Sequence, residues 1–76
     1  MKTYLRLGND TLEQAKRYRT KKAAIAAYAA TARELARYGQ SIEATLHYAR
    51  NAEELAEYPD YTLFLSARGA IRCVSA

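Results

Sequence analysis

The sequence predicts a single α+β domain in which one long helix packs on a mostly antiparallel sheet of three to four strands. Three observations carry this. Short alternating segments stand at both ends of the chain. One long alanine-rich segment with helical periodicity lies between them. The chain has 76 residues, enough for one domain and no more, with hydrophobic residues at 50% and charged residues at 26%. A domain of this size buries only about 60% of its unfolded surface, so the core is small.

The elements follow in order. Lys2 to Leu7 alternates, with Thr3, Leu5 and Leu7 on one side and Tyr4 and Arg6 on the other, as in a half-buried strand. Gly8-Asn9-Asp10 ends it with turn chemistry. From Thr11 to Arg19 the pattern is mixed. Asp10 followed by Glu13 reads as a capping box opening a short helical turn, with a break after it. Arg17-Tyr18-Arg19 is equally compatible with a second strand or an irregular arm.

Thr20 to Tyr38 is the clearest segment. Ile25, Tyr28, Ala29, Ala32, Leu35 and Ala36 form one apolar stripe. Thr20 is a suitable N-cap and Gly39 a suitable C-terminal stop. Ser41 to Ala49 alternates again, with Ile42, Ala44, Leu46 and Tyr48 toward the core and Glu43, Thr45 and His47 away from it. Arg50 to Tyr58 is a short acidic helix or loop, capped by Asn51 and closed by Pro59-Asp60. Tyr61 to Ser66 and Ala70 to Ser75 form a hairpin around Ala67-Arg68-Gly69. Its register follows from sorting apolar from polar: Leu65 opposite Ile71, Leu63 opposite Cys73, and Phe64 opposite Arg72 on the other face. The first strand and the strand after the helix are expected to be parallel, joined by a right-handed crossover. Strand order does not follow from the pattern.

Composition narrows the function. The longest apolar stretch, Ala23 to Ala30, falls far short of the ~20 residues of a membrane span. The first residues show no long apolar run of a signal peptide, and a lone thiol, Cys73, suits a reducing compartment, so a cytoplasmic protein is expected. Three glycines, at positions 8, 39 and 69, make no phosphate loop, and nothing implies a cofactor or a metal. His47 is the only histidine. No serine or aspartate accompanies it at a diagnostic spacing, which argues against an enzyme. The enzymatic alternative is a small ribonuclease toxin with His47 as general acid or base and Arg6 or Arg72 holding phosphate.

The strongest functional signal is a basic run. Lys16, Arg17, Arg19, Lys21 and Lys22 place five cations in seven residues around Tyr18, which would anchor a partner by its ring, with no acid among them. Net charge is +4, so the remainder of the chain is slightly acidic on balance and the positive field is local. Lys21 and Lys22 fall in the first turn of the helix, where the macrodipole favours acids. Local stability would place glutamate there; an anion-binding site would place lysine. A second candidate surface is the sheet face away from the helix, where Tyr4, Arg6, Phe64 and Arg72 mix rings with cations in the manner of surfaces that stack single-stranded bases. Seven tyrosines, one phenylalanine and no tryptophan suit either the rim of a small core or a contact surface. The acids Glu53, Glu54, Glu57 and Asp60 also complement the basic run of a second copy, which would give a homodimer.

In size, single α+β layout, tyrosine content and lack of an enzyme motif, the chain resembles the small accessory proteins of phages and prophages, and among them the anti-CRISPR proteins. That group has no common motif, so no residue role carries over. The resemblance implies a stoichiometric inhibitor that docks on a host protein or nucleoprotein complex. Direct binding of RNA or DNA is the alternative.

Overall fold

The computed structural model describes residues 1–76. Five strands form one antiparallel open sheet: β1 (Lys2–Leu7), β2 (Lys16–Tyr18), β3 (Ala44–Ala49), β4 (Tyr61–Leu65) and β5 (Ile71–Ser75), in the spatial order β2-β1-β3-β4-β5. A single helix, α1 (Lys21–Ala36), lies across one face. No helix is long and apolar enough to cross a membrane.

The sheet has one strand more than the sequence predicts. The extra strand comes from the ambiguous segment, which holds both a 3₁₀ turn (Leu12–Gln14) and β2. The turn is capped one residue later than expected. Thr11, not Asp10, opens it, and the Gln14 side chain accepts the Thr11 N–H at 2.9 Å in place of Glu13. β2 then reverses the chain and pairs with β1 through Thr3 opposite Tyr18 and Leu5 opposite Lys16.

This reversal also corrects the expected parallel pairing of β1 with the strand after the helix. β1 and β3 are antiparallel over their full lengths, from Lys2 opposite Ala49 to Leu7 opposite Ala44. The crossover through α1 instead joins β2 to β3. Both oppose β1, so they run parallel to each other with β1 between them, a split β-α-β arrangement.

Helix α1 begins where expected. The Thr20 hydroxyl accepts the Ala23 N–H at 3.0 Å. Beyond its last residue, Ala36, the chain turns away at Gly39, whose φ is 73°, with the Gly39 N–H bonded to the Ala36 carbonyl and the Gln40 N–H to the Leu35 carbonyl. The buried stripe differs in detail from the prediction. Ala24, Tyr28, Ala29 and Ala32 are buried, Ile25 and Leu35 are half-buried, and Ala36 is exposed. Alanines at the line of closest approach let the helix settle near the sheet, and the larger side chains flank it. Below them lie Leu5, Ala44, Leu46 and Leu63, all buried. Tyr28 is fully buried, and its hydroxyl donates to the Ile42 carbonyl at 2.6 Å.

The β4–β5 hairpin adopts the register that separates apolar from polar residues: Leu65 opposite Ile71, Leu63 opposite Cys73, Phe64 opposite Arg72. Gly69, at φ 84°, supplies the left-handed residue of the loop.

Tyr28→Phe keeps the ring and removes its donor, leaving the Ile42 carbonyl short of a partner. We expect a loss of about 1 kcal/mol in urea unfolding with the slope unchanged. A loss indistinguishable from zero would show that the hydroxyl adds nothing to the core.

Candidate functional site

The basic run does not form one arm. It is divided between the edge strand β2, a bend and the start of α1. Strand alternation sends Lys16 and Tyr18 to the helix side of the sheet and Arg17 to the other side, opposite Tyr4. Tyr18 is half-buried and packs against the core, and the Lys16 ammonium stands 6.0 Å from its ring centre. Arg19, in the bend, and Lys22, on the first turn of α1, are exposed, as are Lys16 and Arg17. The protein forms three ion pairs, Arg6–Glu57, Arg37–Glu34 and Arg50–Glu54, and none uses a cation of this run.

Lys21 is the exception within the run. Its ammonium lies 3.7 Å from the centre of the Tyr61 ring, which in turn packs edge-on against Tyr48 with ring centres 6.0 Å apart. Partial desolvation works against the Lys21 charge, but the adjoining Tyr61, with Cys73 and Tyr48 nearby, raises its pKa above the ordinary value. The lysine that sits against the helix dipole is therefore held by a π face of the protein itself. Sequence reasoning missed Tyr61. The available signal was that Tyr48 and Tyr61 both fall on the helix side of adjacent strands, near the point where α1 must begin.

The second candidate surface is arranged differently from the expectation. Tyr4, Arg6, Thr45 and His47 do lie on the face away from α1, but that face is not open at this end. The connection carrying the second 3₁₀ turn (Ala52–Glu54) folds back over it. Tyr4 is 5% exposed and His47 only 1%. The Arg6 guanidinium is tied to Glu57 at 3.2 Å and to the Thr45 hydroxyl at 3.3 Å. Only Phe64, half-buried, and Arg72, exposed, remain within reach of a partner, so the four residues do not make one surface.

The hydrogen bonds fix the state of His47. Arg6 Nε–H donates to Thr45 Oγ1, so the threonine proton is free to donate to His47 Nε2 at 2.8 Å. Nδ1 then carries the ring proton and donates to the Ala56 carbonyl at 2.9 Å. Burial lowers the imidazole pKa below its ordinary 6.5. The bond to Ala56 opposes this shift and the Arg6 charge adds to it. Both ring nitrogens are occupied and solvent does not reach them, so the ring is placed to hold a loop rather than to meet a substrate.

Between the two 3₁₀ turns lies a shallow groove of about 460 Å³ with an apolar floor of Leu12, Ala15, Ala52 and Leu55 and acidic rims at Glu13 and Glu53. No group of three or more His, Cys, Asp or Glu side chains is placed to hold a metal ion. Set against known protein families, curated proteins and solved structures, the chain matches none of them significantly.

Two outcomes follow from this geometry. In the unfolded chain His47 titrates near 6.5, whereas in the folded chain it titrates lower. Below pH 6.5 the unfolded state therefore binds the proton first. The stability contributed by the neutral ring is complete above that pH and is lost as pH falls toward the folded pKa. We expect the urea midpoint to drop between pH 7 and pH 5, less so in His47→Gln, and an NMR titration of the ring to give a pKa below 6.5. A ring titrating at or above 6.5 would refute this. The second outcome separates adjacent lysines: Lys21→Ala lowers the melting temperature and Lys22→Ala does not, read by circular dichroism.

Proposed function

We propose that this chain is a small non-enzymatic binding protein that docks on an anionic surface of a host protein or nucleoprotein complex and leaves it unreacted. This is the role that the resemblance to anti-CRISPR and other phage accessory proteins implies. The observation that carries the proposal is the unpaired state of the basic run. The chain spends Glu54 and Glu57 on Arg50 and Arg6 and leaves Lys16, Arg17, Arg19 and Lys22 exposed without an acidic partner. Exposed cations carried by β2, the bend and the first turn of α1 steer association and set its orientation. Lys21, stacked on Tyr61 of β4, is engaged within the protein rather than facing the partner.

The burial of Tyr4 favours docking on a protein or nucleoprotein over direct stacking of bases. A stacking platform needs exposed rings, and the sheet face offers only half-buried Phe64. Direct nucleic-acid binding would then rest on phosphate contacts alone, with steep salt dependence.

The test uses the triple variant Arg17→Gln, Arg19→Gln, Lys22→Gln, which removes no ion pair of the fold. Affinity capture from a host lysate is run with and without nuclease, and the recovered partner's affinity is then measured. We expect a partner retained after nuclease and bound at least about tenfold more weakly by the variant. Equal affinity of variant and parent would overturn the assignment. A partner lost with nuclease would transfer it to direct nucleic-acid binding.

A further inference from the structure

The two edges of the sheet differ. β2 has three residues and carries Lys16 and Arg17, with Arg19 just beyond it, the kind of short charged edge that resists pairing with another strand. β5 has five residues and only one charge, Arg72. In the hairpin the Ser66 N–H bonds the Ala70 carbonyl at 2.8 Å, and at the other end the Ala76 N–H bonds the Asp60 carbonyl at 3.2 Å. Alternation between these bonds makes Phe64–Arg72 and Thr62–Val74 the hydrogen-bonded pairs. The N–H and C=O groups of Ile71, Cys73 and Ser75 therefore point outward, with no strand beside them.

The side chains along this edge are also incompletely covered. Ile71 and Cys73 are half-buried on the helix side, and Val74 is 44% exposed on the other. Helix α1 packs chiefly over β1 to β4 and leaves the approach to β5 clear.

We propose that the protein forms a two-fold dimer by antiparallel pairing of β5 with β5 of a second copy, in a register centred on Cys73. In this register Cys73 meets Cys73 and Ile71 meets Ser75, so the outward backbone groups of all three residues are satisfied. On the other face Arg72 meets Val74, and no like charges oppose each other. Two alternatives are disfavoured by charge and by closure. Pairing β5 with β2 of another copy would bring Arg72 onto the same face as Arg17 and would grow without closing, and pairing β2 with β2 would set cation against cation. The dimer would be a continuous ten-stranded sheet with both helices on the same face and the two basic β2 edges at its far ends, about nine strand spacings or ~43 Å apart. The dimer stands independently of the function proposed for β2. Only the placement of two docking edges rests on that reading.

The test combines mass, exchange and two variants of the full chain. Light scattering during gel filtration is expected to give twice the monomer mass, falling to the monomer mass on dilution. Amide hydrogen exchange should show Ile71, Cys73 and Ser75 protected in the concentrated sample and unprotected in the dilute one. Cys73→Pro removes an outward N–H that the monomer does not use, a position where a sheet edge tolerates proline. Val74→Lys places a cation against the second copy's Arg72 and leaves the hairpin bonds intact. Each is expected to halve the mass of the concentrated sample, with an unchanged circular dichroism spectrum. Should Cys73→Pro fail to fold, Val74→Lys alone decides. Monomer mass at the highest soluble concentration overturns the proposal, and so does a dimer in which these three amides exchange at a rate independent of concentration.

Discussion

One sixteen-residue helix can cover one face of a five-stranded sheet, and the other face must be closed by different means. Here the closure is polar. Arg6, Thr45 and His47 form a chain of hydrogen bonds along the sheet, and that chain ends on the Ala56 carbonyl and the Glu57 carboxylate of a loop. A buried polar group without a partner costs about 1–3 kcal/mol, so a network of this kind stabilises only when every member is satisfied. All are: no buried side-chain nitrogen or oxygen lacks a partner. The protonation state of His47, the burial of Tyr4 and the position of the second 3₁₀ turn all follow from that condition.

This closure bears on function. The sheet face that a sequence reading assigns to an exposed mixture of rings and cations is partly sealed, and its one histidine has become a structural fastener. Three of the four acids that complement the basic run on paper are engaged elsewhere: Glu57 on Arg6, Glu54 on Arg50, and Asp60 Oδ2 accepting the Tyr48 N–H at 2.7 Å, while Glu53 stands at the groove rim. The cations of β2 and the helix start form none of the three ion pairs.

Much of the fold was legible because it depends on local rules. Thr20 and Gly39 bound the helix through bonds within a few residues of themselves. The hairpin register followed from the need to keep Leu63 and Leu65 with Ile71 and Cys73, and the loop glycine allowed it. What was not legible depends on partners distant in sequence. β2 has a single inward ring, Tyr18, and no apolar alternation, so only its pairing with β1 makes it a strand. Missing it reversed the expected direction of β3 relative to β1. His47 was correctly placed on the side away from the helix, but its burial comes from a carbonyl nine residues later, which no periodicity reports. Lys21 was read as an anion-binding lysine because Tyr61, forty residues away, was not yet beside it.

The case of Lys21 also clarifies the remaining cations. A lysine against the helix dipole carries a local cost, and the protein offsets it with a π face, so that position has an internal explanation. Lys22, one residue later in the same turn, has no such contact, and neither has Arg19 in the adjoining bend. Edge protection accounts for charge on β2 itself, since one or two lysines suffice to discourage strand pairing. It does not account for Arg19 and Lys22, which lie outside the strand and still add to the same field. In a domain with so small a core, mutual repulsion among these groups works against folding. A sequence shaped by stability alone would have placed an acid among them. The excess of cation beyond what the helix and the edge require is thus the part of the surface on which the proposed docking rests.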